Sequence, residues 1–136
     1  MEDDIEMSTL IDRVIKNIDP KINLDWSTNA EEAIIKLKNA SKKGIELPYN
    51  LIIADVFLDG SKTGIDLWRY SKKEYGKIPF ILTSADQKES LFLKKNLLNF
   101  DPIFLQKPFS IQECKTLLKK ILGYEDLMKP IKILSP

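Results

Sequence analysis

Apolar residues spaced three and four apart alternate along this chain with short apolar runs that lack that spacing. Met7, Leu10, Ile11, Val14, Ile15 and Ile18 follow the first pattern, which predicts an amphipathic helix over residues 7–18, ended by Asp19-Pro20. A short strand is expected over Ile22–Trp26. Ser27 and Asn29 offer caps to a second helix carrying Ala33, Ile34, Ile35 and Leu37, and Gly44 closes it. Within Tyr49–Val56, the run Leu51-Ile52-Ile53-Ala54 is apolar without alternation, as expected of a parallel strand covered on both faces.

The alternation then repeats. Asp59-Gly60-Ser61-Lys62 is turn chemistry, and Ile65, Leu67 and Trp68 open a helix that ends near Gly76. Phe80-Ile81-Leu82 reads as a buried strand, Leu91–Leu98 as a helix and Ile103-Phe104-Leu105 as a strand. Ile111, Cys114, Leu117, Leu118 and Ile121 mark a last amphipathic helix before Gly123. Strand and helix in turn over 7–123 predict a doubly wound α/β fold, a parallel sheet with helices on both faces. Beyond it, 124–129 reads as a linker and 130–135 as one further strand, Pro130-Ile131-Lys132-Ile133-Leu134-Ser135.

Composition narrows the chemistry. The 136 residues suit a single domain, and a formal net charge of +1 gives no global field for nucleic acid or a membrane surface. There is no His, which excludes Ser-His-Asp or Cys-His catalysis within the chain and removes the commonest zinc ligand. Cys114 is the sole cysteine, so no intrachain disulfide forms. A reducing, cytoplasmic setting is expected, since neither a leader nor a bilayer-spanning apolar run is present.

In open parallel sheets, ligands sit outside the carboxyl ends of the strands. Three polar residues fall at such ends: Asp55 after Leu51–Ala54, Ser84 after Phe80–Thr83, and Lys107 after Ile103–Gln106. Folding therefore gathers a carboxylate, a hydroxyl and an ammonium at one edge. Glu2 and Asp3 stand immediately before the first predicted helix, where a preceding strand delivers them to the same edge. Clustered carboxylates repel unless a cation neutralises them, and Mg²⁺ suits an all-oxygen donor set. Asp55 is a candidate nucleophile toward a phosphoryl group, with Lys107 and Ser84 as cationic and hydrogen-bonding stabilisers.

The segments Leu51-Ile52-Ile53-Ala54-Asp55, Ile78-Pro79-Phe80-Ile81-Leu82-Thr83-Ser84-Ala85 and Gln106-Lys107-Pro108-Phe109 resemble three signature strands of response-regulator receiver domains. Glu2-Asp3-Asp4 resembles the acidic cluster that follows the first strand of that family. The resemblance covers nearly the whole chain. It implies a flavodoxin-like five-stranded sheet of order 2-1-3-4-5. It also implies transfer of a phosphoryl group to Asp55 from a sensor histidine kinase or histidine phosphotransfer protein, a role in signalling and no turnover of a separate substrate. Glu2, Asp3, Asp55 and the Phe57 backbone carbonyl would hold Mg²⁺, Ser84 and Lys107 would contact the phosphoryl group, and Phe104 would switch with Ser84. Thr83 is a neighbouring alternative to Ser84, though counting from Pro79 favours Ser84. Pro108 falls where the family carries a cis peptide.

The sequence departs from that family at its beginning. A receiver opens with an apolar strand leading into the acidic pair, whereas Met1 stands directly before Glu2. The piece Ile131-Lys132-Ile133-Leu134 has the composition of that strand, so a circular permutation or a strand swap is expected, as a monomer or a strand-swapped dimer. Tyr124–Lys129 spans about 20 Å when extended, enough to return to a neighbouring strand, which favours insertion into the chain's own sheet. Two other functions compete. A pseudo-receiver would keep the fold and bind partners without turning over phosphate. An aspartyl-phosphate phosphatase would carry Asp-x-Asp, whereas Phe57 stands two residues after Asp55.

Overall fold

The structure, a computed structural model, describes residues 2–27, 29–45, 48–56, 61–76, 78–84, 102–107, 109–122 and 132–135, with the side chains of residues 2–8 and 122 outside that description. The elements in chain order are α1 (Glu2–Ile18), β1 (Asn23–Trp26), α2 (Ala30–Lys42), β2 (Leu51–Asp55), α3 (Gly64–Glu74), β3 (Phe80–Ser84), β4 (Ile103–Gln106), α4 (Ile111–Leu122) and β5 (Lys132–Ser135). The helix expected over Leu91–Leu98, the linker 124–129 and the residues Pro130 and Ile131 lie outside the described residues.

All strand pairings are parallel, in the order β1-β5-β2-β3-β4. The last strand in the chain is thus the second in the sheet. It sits between β1 and β2, the place expected for the displaced strand, and it does so within one chain. Ile133 opposes Leu24 on one side and Leu51 on the other. Asn50 secures the entry to β5 twice: its amide donates to the Lys132 carbonyl (2.7 Å) and its Oδ1 accepts from the Lys132 amide (2.8 Å). At the other end of β5 the Ser27 amide donates to the Ser135 carbonyl at 2.9 Å.

Side chains of a strand alternate between faces, so each apolar run feeds two layers. Ile52, Ala54, Phe80, Leu82 and Leu134 pack with Ala33 and Leu37 of α2 and Leu67 and Trp68 of α3. Leu51, Ile53, Ile81, Leu105 and Ile133 pack with Ile11, Val14 and Ile15 of α1 and Cys114 and Leu118 of α4. Ile133 and Leu134 are both fully buried, one in each layer. Each contributes about 1.5–3 kcal/mol through burial alone.

The helix ends follow local chemistry, with two differences from expectation. Asn29 caps α2, its Oδ1 accepting from the Glu32 amide at 2.8 Å. Ser27 does not share that role; its hydroxyl is buried and, among the described residues, has no hydrogen-bond partner. Gly44, at φ 75°, follows α2 in the left-handed conformation that a residue with a Cβ resists. The second difference concerns α1, which starts at Glu2 rather than near residue 7. Glu2 and Asp3 therefore lie inside the first helix instead of preceding it. Acidic residues complement the positive end of a helix macrodipole, and three in succession extend the helix toward its N-terminus.

Candidate functional site

Parallel strands bring all five carboxyl ends to one edge, which carries Ser27, Ser135, Asp55, Ser84 and Lys107. Of these, three expected site residues meet. Asp55 ends β2, and the Lys107 Nζ just beyond β4 donates to its Oδ2 across the intervening β3. Both side chains are about four-fifths buried, at 17% exposure for Lys107 and 19% for Asp55. An ordinary surface lysine would be solvated; this one is held beneath the edge by a carboxylate 52 residues away in sequence. The backbone supports the placement, because the Lys107 amide donates to the Ser84 carbonyl at 2.8 Å.

Ser84 ends β3 between the two charged partners and is buried. Thr83, also buried, is the residue in register with Asp55, and Ser84 lies one step nearer the edge, opposite Gln106. Alternation sets Thr83 and Ser84 toward opposite faces. Phe104, the register partner of Leu82, is partly buried against the α2–α3 layer. Ser84 shares that face by parity with Leu82, so hydroxyl and aromatic ring stand on the same side of the sheet.

The first helix fixes only the backbone direction along which the acidic pair lies. The turn from Ile18 to β1 is short, with the Asp19 side chain accepting from the Lys21 amide at 2.9 Å, so the end of α1 lies at the amino edge of the strands. Ile11, Val14 and Ile15 pack along the sheet, and the helix runs back in the direction of the carboxyl edge; Glu2 and Asp3 occupy its first turn. Their side chains, together with Phe57 and Pro108, lie outside the described residues. Among the described residues no group of three carboxylate, thiol or imidazole side chains is placed to share a metal ion. The donors available to the edge are nevertheless all oxygen. The chain has no His, and Cys114 is buried in the α1–α4 layer, where burial pushes its thiol up to about 11.

Two residues of the segments around this edge, one beside Asp55 and one on α2, escaped the sequence reading. Gly64, the first residue of α3, lies against the Asp55 backbone, and its amide donates to the Val56 carbonyl at 3.0 Å. A Cβ there would stand 2.9 Å from the Asp55 carbonyl carbon and closer still to its oxygen, so only glycine allows this approach. Thr63 and Asp66 form a reciprocal capping box that starts the helix at that point, and this Thr-x-x-Asp spacing was the available signal. The Thr63 amide chiefly holds the Asp66 carboxyl below its ordinary value.

The second is Glu31, in the first turn of α2. Its Oε1 accepts from the Lys62 amide at 2.6 Å and from the Ser61 hydroxyl at 3.1 Å. Desolvation pushes this carboxyl up, but bonds from its own amide, Lys62 and Ser61 prevail and leave it below the usual value. One turn further, Lys36 donates to Asp25 Oδ1 and to the Trp26 carbonyl, each at 2.7 Å, while the Tyr49 hydroxyl donates to Asp25 Oδ2 at 2.6 Å. Burial pushes the Tyr49 hydroxyl far up, helped by the Asp25 carboxylate it serves.

Among the described residues no helix is long and apolar enough to cross a membrane. No protein-family model matches the sequence, and no curated protein matches it. Among solved structures, the chain is similar to a response regulator receiver protein from Sinorhizobium medicae WSM419. The TM-score is 0.55 at 20% sequence identity, over 69% of this chain and 68% of that one. At that identity the likeness speaks for architecture, and the strand order is consistent with a permuted arrangement of it. This chain has the α/β fold of receiver domains.

Proposed function

We propose that this chain is a response regulator that accepts a phosphoryl group on Asp55 and, by doing so, changes its contacts with a protein partner. One observation carries the reading: the Lys107 ammonium bonds the Asp55 carboxylate across the strand that ends in Ser84. In the transfer, an Asp55 carboxylate oxygen forms a bond to phosphorus as the bond from phosphorus to a donor imidazole nitrogen breaks, and the electron pair returns to the ring. The donor is a phosphohistidine on a sensor kinase or a histidine phosphotransfer protein, since this chain has no His of its own. Phosphoryl transfer asks mainly for positioning and charge stabilisation. Lys107, already beside the acceptor, neutralises negative charge on the equatorial oxygens, and the Ser84 hydroxyl donates to one of them. Phe104, on the Ser84 face, is the group whose packing then follows the modification. The chain promotes its own phosphorylation and dephosphorylation and is not an enzyme acting on a separate substrate.

Glu2, Asp3, Asp55 and the Phe57 carbonyl would hold a Mg²⁺ ion, which their hard oxygen donors suit. When bound, it supplies neutralisation of charge among the carboxylates and the phosphoryl oxygens. A second reading, a binding module of the same fold that takes no phosphate, draws support from the start of α1 at Glu2, which holds the acids in a helical turn.

Incubation with Mg²⁺ and a small acyl-phosphate donor, followed by intact-mass measurement, separates the two. The expected result is one added phosphoryl group on the wild type and none on Asp55→Asn, with unchanged circular dichroism. Equal labelling of the variant removes Asp55 as acceptor. A folded wild type that takes no label leaves the binding module as the function.

A further inference from the structure

We infer that Thr83 is a positioning residue for the Lys107–Asp55 pair, its side-chain size setting the path by which the lysine crosses β3. The consequence for labelling rests on the proposed phospho-acceptor role; the path itself does not. Asp55, Thr83 and Leu105 stand abreast on β2, β3 and β4. Ile53 and Ile81, two residues back along β2 and β3, pack in the α1–α4 layer, and so does Leu105. Side chains alternate along a strand, so Asp55 and Thr83 share that face, and Lys107, two residues beyond Leu105, returns to it. The parallel ladder holds up to this point, with the Val56 amide donating to the Thr83 carbonyl at 2.9 Å and the Lys107 amide to the Ser84 carbonyl at 2.8 Å. Thr83 is therefore the last residue of β3 on the face that carries both charges.

β2 and β4 are two strand spacings apart, about 9.6 Å. The Lys107 Nζ donates to the Asp55 Oδ2 over that gap, and both side chains are largely buried. The lysine arm thus lies low on the sheet instead of arching through solvent. The residue beneath its crossing is Thr83, which is buried. The other residues of these rows on the same face, Ile53, Ile81 and Leu105, are longer. Threonine keeps the branched shape that strands favour and ends one carbon sooner than isoleucine. It fills the floor of the crossing and leaves the arm clearance to reach the carboxylate. A longer side chain at this position stands in that path and pushes the ammonium away from Asp55, without Thr83 itself touching the phosphoryl group.

The test uses the full-length chain with Thr83→Val, which keeps the size and drops the hydroxyl, and Thr83→Ile, which adds one carbon. Where circular dichroism shows the isoleucine variant unfolded, Thr83→Met, longer but flexible, takes its place. The Lys107 Nζ signal in nitrogen NMR, assigned by its loss in Lys107→Met, reports whether the ammonium is held. It is expected in the wild type and in Thr83→Val, and is expected to broaden away in the longer variant. Labelling by a small acyl-phosphate donor at saturating Mg²⁺ is expected to slow several-fold in the longer variant and to stay at the wild-type rate in Thr83→Val. In a Lys107→Met background the longer side chain is expected to cost nothing further, since it acts through the lysine. A wild type without the Nζ signal, or a longer variant that keeps it unchanged, overturns the positioning role. Equal slowing with and without Lys107 overturns it too, and slowing in Thr83→Val transfers the effect from size to the hydroxyl and overturns the inference as stated. A wild type that holds the Nζ signal and takes no label sinks the acceptor reading alone, while the signal in the variants still decides the path of the lysine.

Discussion

The two sides of the sheet are built on different plans. β2, β3 and β4 are neighbours in space in the order in which they occur along the chain, and they end in Asp55, Ser84 and, just past the last strand, Lys107. On the other side β1 reaches β2 only through β5, a strand that arrives after everything else has been laid down. The first side carries the candidate site. The second side carries the continuity of the core, because Ile133 and Leu134 join both helical layers across the gap that β1 and β2 would otherwise leave. A site of three convergent groups is thus borne by one block, whose rigidity depends on a strand that contributes none of them.

That division can be broken most sharply at β5. Leu134→Ala removes a fully buried side chain and is expected to cost about 2–5 kcal/mol, read as a lower denaturation midpoint with both layers melting together. If the β2–β4 block keeps its stability while only β1 and α2 loosen, the sheet is two cooperative units rather than one. Gly64→Ala acts on the side of the candidate site. Forcing a methyl group against the Asp55 backbone is expected to cost about 1–3 kcal/mol and to slow phosphoryl incorporation more than Leu134→Ala does at a temperature where both variants are folded. Equal slowing would mean that the contact matters only for stability.

The smallest effect tests the β1 side through pH. Burial pushes the Asp25 carboxyl up, but the bonds from Lys36 and Tyr49 and the charges of Lys36 and Lys132 bring it below 3.8. A carboxylate with a lowered folded value adds stability that is complete above its unfolded value and is lost as pH falls through the folded one. Asp25→Asn is therefore expected to flatten the acid limb of the stability curve below about pH 4. Solvent screens a side chain that is 38% exposed, so the cost at neutral pH stays under about 1 kcal/mol. A variant whose acid limb is as steep as that of the wild type would move the acid sensitivity to other carboxylates, Asp66 first among them.

Much of the site could be read in advance because strand ends are local features. The apolar run Leu51–Ala54 places Asp55 at a carboxyl edge whatever the neighbours are, and the same holds for Ser84 and Lys107. Gly64 was harder. Glycine before a helix is common, and only the packing of α3 onto the Asp55 carbonyl makes it obligatory. Glu31 was harder still, since an acid in the first turn of a helix already has a local explanation in the macrodipole, and its partners lie 30 and 31 residues away. Glu2 and Asp3 were placed before the helix because apolar spacing starts at Met7, and polar residues that extend a helix leave no mark in that spacing.

By itself the sequence determined the alternation of strand and helix, the two-faced burial of the strands and the identity of the residues at their carboxyl ends. These follow from periodicity and steric preference within a few residues. Tertiary structure decided the rest: which gap the last strand fills, that Lys107 reaches Asp55 over β3, and that Glu31 of α2 accepts from the Lys62 amide. Each of those depends on segments distant in sequence meeting at ångström precision, and no local pattern encodes such a meeting.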